Sequence, residues 1–181
     1  MHDALILIDI QNDYFPGGRM EVAHATEASQ AAKALLEYFR KNNGPVVHIQ
    51  HISKRKGATF FLPDTEGVQI HESVLPLPGE VIFQKYLPNS FVGTGLHEHL
   101  EAINVRKLVI AGMMSHMCID ATVRGAFDLG YTCLVAHDAC ATRDLSFNGL
   151  EIPAAHVHGA FMSALGAVYA KVLTVKDIVA G

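Results

Sequence analysis

The stretch Leu108-Val-Ile-Ala-Gly-Met-Met-Ser-His-Met-Cys118-Ile-Asp-Ala-Thr-Val-Arg124 decides the fold. Leu108 to Ala111 is an unbroken apolar run with no residue set aside for water, which predicts a strand buried on both faces of a sheet. From Met117 the apolar spacing becomes helical and runs to Leu129, with Gly130 where a helix stop belongs. A buried strand that turns directly into a helix is part of a parallel β-α-β arrangement, so the predicted class is α/β.

The same alternation extends in both directions. Strands are predicted at Ala4 to Ile8, Val46 to Gln50, Val81 to Gln84, Leu108 to Ala111, Cys133 to Ala136 and Val172 to Thr174. Helices are predicted at Ala25 to Lys41, closed by Gly44, and at Thr94 to Ile103, Met117 to Leu129 and Ala154 to Ala170. Together they make a three-layer α/β/α domain with one six-stranded, mostly parallel, doubly wound sheet, and 1–181 reads as one such domain. Ser53 to Gly79 reads as an irregular insert, and the chain has no internal repeat or linker.

Composition narrows the function. Half of the 181 residues are hydrophobic and 18% are charged, too apolar a mixture for disorder. Lys plus Arg number 14 against 18 Asp plus Glu, and there is no basic run, so no nucleic-acid partner is expected. Cys118, Cys133 and Cys140 form no CxxC pair and cannot all pair with one another, which suits a reducing compartment. The five-residue apolar run near the N-terminus lies between Asp3 and Asp9 and does not resemble a signal peptide, so a cytoplasmic location is expected. Ile152 to Ala170 has no Asp, Glu, Lys or Arg, but Pro153, His156 and His158 argue for a buried helix rather than a membrane span. No membrane partner is expected.

In doubly wound sheets the ligand crevice lies beyond the carboxyl ends of the strands. Three polar residues fall there: Asp9 after Ala4-Leu-Ile-Leu-Ile8, Lys85 after Val81-Ile-Phe-Gln84, and Cys118 after the fourth strand and a short turn. Cys118 begins a helix, whose free amides and positive end suit an oxyanion and lower a thiol pKa, and a nearby ammonium such as Lys85 lowers it further. Asp9 is placed to accept the thiol proton. The alternative for a lone cysteine after a buried strand is inert packing, which is the reading for Cys133 and Cys140.

This arrangement resembles the isochorismatase-like cysteine hydrolases, a family that includes nicotinamidases, N-carbamoylsarcosine amidohydrolases and related amidases. The resemblance spans nearly the whole chain through three segments in order: Leu7-Ile-Asp9-Ile-Gln-Asn-Asp-Tyr-Phe15, Gln84-Lys-Tyr-Leu-Pro-Asn-Ser-Phe91 and Ala111-Gly-Met-Met-Ser-His-Met-Cys118. It implies an Asp9-Lys85-Cys118 triad and a cis peptide at Met113-Met114. It also implies an oxyanion hole at the Met114 and Cys118 amides. The implied activity is hydrolysis of a small amide-type substrate through a Cys118 thioester, with no cofactor. Relatives commonly form dimers or larger oligomers, so a homo-oligomer is expected, with the small residues of Ile152 to Ala170 packing across a twofold axis or buried under the insert.

The chain departs from the family pattern in two places. Ser115-His116 stands where many relatives carry Thr-Asp, so His116 either lines the pocket or begins the helix. Nicotinamidases hold a divalent metal through Asp-x-His, which Gln50-His-Ile-Ser53 replaces, so no metal is expected. The remaining histidines do not chelate by spacing. His48 and His51, three apart on a strand, face opposite sides, and His97/His99 and His156/His158 lie about 200° apart on helices. Gly93-Thr-Gly95-Leu-His-Glu98 lacks the third glycine of a dinucleotide loop, so no nucleotide cofactor is inferred. Phe15, Phe60, Phe61, Tyr86, Phe91 and Phe161 are candidate pocket aromatics, and Phe15, Tyr86 and Phe91 are favoured because they flank the three segments. Other readings are an isochorismatase-type hydrolase of a different small substrate, a redox sensor built on Cys118, or a non-catalytic member of the fold.

Overall fold

The computed structural model describes residues 3–180. Six strands form one parallel sheet: β1 (Asp3–Ile8), β2 (Val46–His51), β3 (Val81–Lys85), β4 (Lys107–Met113), β5 (Thr132–Ala141) and, after a short hairpin, β8 (Lys171–Leu173). Their order across the sheet is β3-β2-β1-β4-β5-β8. The chain therefore builds outward from β1 in one direction, returns to its centre at β4, and builds outward in the other. The reversal between β1 and β4 opens the sheet's carboxyl edge at the place where such folds bind ligands.

Helix α1 (Ala25–Lys41) and α5 (Val175–Ala180) cover one face; α2 (Leu96–Ala102), α3 (Asp120–Asp128) and α4 (Ala154–Val168) cover the other. The strands are apolar throughout because both faces are buried. In β1, Leu5 and Leu7 pack toward Leu35, Leu36 and Phe39 of α1, and Ala4, Ile6 and Ile8 pack toward Leu96, Val123 and Leu165. Gly112 is required where β4 crosses β1. A Cβ there would lie 2.0 Å from the Ile8 carbonyl oxygen, and its φ of 132° is open only to glycine.

Every predicted strand and helix is present, α1 with the expected bounds and the others with shifted ends. β5 runs five residues past its expected end, since a register shift between Ile110 and Gly112 lets Cys140 and Ala141 rejoin β4 after the polar His137-Asp138. The helix expected from Met117 begins at Asp120. Before it, Ser115–Ile119 forms a wide turn in which the Ile119 amide reaches back five residues to the Met114 carbonyl. At the end of α1 it is Asn43, not Gly44, that turns left-handed, while the Gly44 amide closes on the Phe39 carbonyl. A two-stranded hairpin, β6 (Leu145–Phe147) and β7 (Leu150–Ile152), has no counterpart in the sequence reading.

Within one chain the stretch Ile152 to Ala170 is not buried, which overturns the expectation that the insert covers it. α4 seats only Ala154, Val157, Met162 and Leu165 fully, and Gly159, Ala160, Ser163, Ala164, Gly166 and Ala167 are exposed. The Ser53 to Gly79 insert does not cover this face. Instead it lies over the sheet's carboxyl edge, held by two single-turn 3-10 segments and by the side chains of Gln11, in the turn after β1, and Gln50 of β2. Among the described residues no helix is long and apolar enough to cross a membrane.

Candidate active site

Asp9 follows β1 directly and adopts a left-handed backbone (φ 52°), a conformation that costs a non-glycine residue about 1 kcal/mol. It turns the chain off the strand at the carboxylate. Two residues on, Gln11 ties this turn to the end of β2 by donating to the His51 carbonyl at 2.9 Å and accepting from the His51 amide at 2.8 Å. It also donates to the Val68 carbonyl of the insert at 2.7 Å. Asp13, buried, accepts from the Phe61 amide at 2.6 Å, so the same short motif anchors the loop above the site. Gly67 is needed there, because a Cβ would sit 2.1 Å from Asp13 Oδ1.

Lys85 ends β3 and Cys118 sits in the wide turn after β4. Lys85 is fully buried, and its ammonium lies 2.7 Å from Asp9 Oδ2, 2.9 Å from His51 Nδ1, 3.2 Å from Cys118 Sγ and 3.2 Å from the Leu87 carbonyl oxygen. That makes four neighbours for three N–H groups, so they compete for its protons. The Asp9 ion pair is the shortest of the four, and no backbone amide supports the buried carboxylate. The peptide between Met113 and Met114 is cis.

The electrostatics correct one expectation. Burial pushes the Cys118 thiol well above its ordinary value, and the Asp9 charge pushes it further than Lys85 pulls it back, so the free site holds a thiol rather than a thiolate. Burial acts to lower Lys85, but Asp9 and Cys118 outweigh it and the ammonium is held. Burial also lowers His51, with Lys85 adding to the effect, so that imidazole is neutral at pH 7. Tyr14 is raised by burial and by the charges at Cys118 and Asp9. Burial pushes Cys133 and Cys140 up to about 12 as well, so what sets Cys118 apart is the Lys85 ammonium and the Asp9 carboxylate beside it.

A cavity of about 490 Å³ opens over Cys118, with Tyr14, His51, Phe60, Phe61, Tyr86, Met114 and Met117 on its walls and Lys54 and Arg55 at its mouth. Of the pocket residues favoured from sequence, Tyr86 is on this wall, with the Lys54 ammonium 3.5 Å over its ring. Phe15 is not. It stacks on His71 at 3.5 Å in a separate cleft of about 690 Å³ between residues 12–19 and 65–75, and its neighbour Tyr14 faces Cys118 instead. Phe91 packs on Tyr131 beneath the site. His116 begins the turn and bonds to the Thr142 hydroxyl at 2.6 Å, away from the cavity wall. Sequence reasoning missed Tyr14 and His51.

Asp9, His51 and Cys118 each bring one ligand-type atom within 4.8 Å of the others, the single such group among the described residues. They do not fit a metal ion, because the Lys85 ammonium already occupies the space between them and a second cation would meet its charge. His48 and His71 lie elsewhere, bonded to Glu80 and Ser73.

Residues 3–177 match the isochorismatase domain family. The chain belongs to that family. It is 53% identical to the isochorismatase family protein YddQ of Bacillus subtilis, over 97% of this chain and 98% of that one. A solved structure named as an isochorismatase hydrolase of Oleispira antarctica superimposes with a TM-score of 0.95 at 48% identity, covering 99% of this chain and 96% of that one. Streptothricin hydrolase of Streptomyces noursei is 34% identical over 78% of this chain and 50% of its own length. Ureidoacrylate amidohydrolase RutB of Enterobacter sp. is 26% identical over 76% of this chain and 74% of its own length, so the relatives include an amidohydrolase.

Proposed function

We propose that this isochorismatase-family protein hydrolyses a C–N bond of a small amide-type substrate through a covalent Cys118 thioester. The observation that carries the reading is the convergence of Asp9 and Lys85, buried and from two other segments, on the Cys118 sulfur of an aromatic-walled cavity.

Substrate binding displaces water from the cavity, and the thiol proton passes to the Asp9 carboxylate, which no backbone amide ties down. The sulfur attacks the carbonyl carbon, and the carbonyl electron pair moves onto oxygen, where the amides of Met114 and Cys118, two residues that line the cavity, hold it. Collapse expels the nitrogen, which takes the proton from Asp9 and leaves as ammonia or an amine. Asp9 then removes a proton from water, which attacks the thioester. The acid departs and the thiol is restored. Lys85 keeps the carboxylate and sulfur in register through both halves. A thiol raised by burial suits this sequence, since it becomes a nucleophile only when a carbonyl lies against it and Asp9 takes its proton.

A screen of small amides, ureas and lactams for ammonia or amine release tests the proposal. Cys118→Ala is expected to lose at least ~10³ of the turnover found. Near-wild-type turnover by that variant refutes it.

We also propose that the active form is a homo-oligomer. The outward row of small residues on α4 permits close packing by a second copy, and the adjacent hairpin exposes Phe147 and Leu150, each about two-thirds accessible. Sedimentation at micromolar concentration is expected to give at least twice the 19.6 kDa chain mass. A concentration-independent monomer removes this part of the proposal.

A further inference from the structure

We propose that His51 is a specificity-determining residue: its Nε2–H donates to a second acceptor on the substrate, so the substrate carries a carbonyl or similar oxygen beside the scissile amide. The inference rests on the amide-hydrolase reading and specifies its substrate class.

The tautomer follows from the partner. A lysine ammonium only donates, so the His51 Nδ1 that lies 2.9 Å from Lys85 Nζ accepts and carries no proton. A neutral imidazole with a bare Nδ1 holds its proton on Nε2. No group among the described residues accepts that Nε2–H, and His51 lies on the cavity wall. The ring is held at Nδ1 by Lys85. Gln11 fixes its backbone on both sides, β2 pairs it with Lys85, and Phe61 packs at 6.0 Å between ring centres.

Position determines which part of a substrate meets the donor. The proposed oxyanion donors lie on the turn after β4, and His51 ends β2, across β1 from that turn. A carbonyl seated at Cys118 therefore extends its remainder past His51 toward Phe60, Phe61 and Tyr86. Around the donor these walls are aromatic, so a substrate that drives out water without supplying an acceptor leaves an N–H unpaired. Sites of this kind reject such analogues on the order of 10- to 100-fold.

The test uses 3-oxobutanamide and butanamide, which differ only in one carbonyl, bound to the Cys118→Ala chain labelled with ¹⁵N-histidine. The expected result is at least ~10-fold tighter binding of the oxo compound, with a shift of a protonated Nε2 signal and an unprotonated Nδ1. The preference is expected to vanish when His51→Phe is added and to persist with His51→Gln, whose amide offers a donor in nearly the same place. Equal affinities, no detectable binding of the oxo compound, a preference that survives His51→Phe, or a bare Nε2 each overturns the proposal. Because nothing need be hydrolysed, this result is separate from the outcome of the turnover screen, whose failure removes the amide reading alone.

Discussion

Two ion clusters sit at opposite ends of β2 and β3, and each contains a carboxylate, a cation and a histidine. At the far end from the cavity, Glu80 accepts from Arg40 Nε at 2.7 Å and Nη2 at 2.8 Å, from the Leu77 amide at 2.9 Å, and lies 2.9 Å from His48 Nε2. Both of its oxygens are taken. At the cavity end, Asp9 is deeper and has only Lys85 to hold its charge, while Lys85 is divided among more acceptors than it has protons. Burial works against the Glu80 charge, but Arg40, the Leu77 amide and His48 overcome it and hold the carboxyl at about 2. The comparison separates two uses of the same chemistry. A satisfied cluster fastens strands and has nothing left to offer a ligand, whereas an unsatisfied one keeps capacity for a proton or a substrate.

The largest expected effect comes from Lys85→Met, which keeps length but removes the charge that holds Asp9. It should cost about 3–5 kcal/mol of stability through the uncompensated buried carboxylate, and at least ~10² in turnover of any substrate found, measured by denaturant unfolding and by steady-state rates. A stable, active variant breaks the contrast.

Glu80→Gln, at the satisfied cluster, should cost about 1–2 kcal/mol and leave turnover within about twofold, since no contact reaches the cavity. Its pH dependence has a fixed sign. The Glu80 carboxyl is depressed on folding, so its contribution is present above the ordinary carboxylate value and is lost as pH falls from about 4.5 toward about 2. The stability difference between wild type and variant should shrink over that range and be flat above it, and a difference that grows on acidification contradicts the assignment.

The smallest effect is a slope. Because burial and Asp9 raise the Cys118 thiol, alkylation of the free protein by iodoacetamide should keep climbing past about pH 9 without levelling. Cys118, on the cavity wall, should be labelled ahead of the more deeply buried Cys133. A plateau near neutrality would mean a resting thiolate.

Much of this was legible in the chain. The apolar runs of β1 and β4 and the spacing of α1 specify buried strands and a one-faced helix, because side-chain period and burial are local properties. The three segments around Asp9, Lys85 and Cys118 could likewise be read as one crevice, since strand ends in a doubly wound sheet converge. His51 was passed over for a reason that is correct as far as it goes. It does face away from His48, which bonds Glu80, but that argument addressed only pairs along one strand. Its partners are Lys85 of β3, Gln11 of the turn after β1 and Phe61 of the insert.

The sequence alone therefore determined the class of the fold, the order of its elements and the residues that end its central strands. Only the tertiary structure decided which neighbour of an irregular pair faces the cavity, Tyr14 rather than Phe15, because outside a strand there is no alternation to count. It also decided that the small residues of α4 lie open and that the Cys118 thiol is raised. Exposure and pKa depend on what other segments bring within a few ångströms, so no window of the chain contains them.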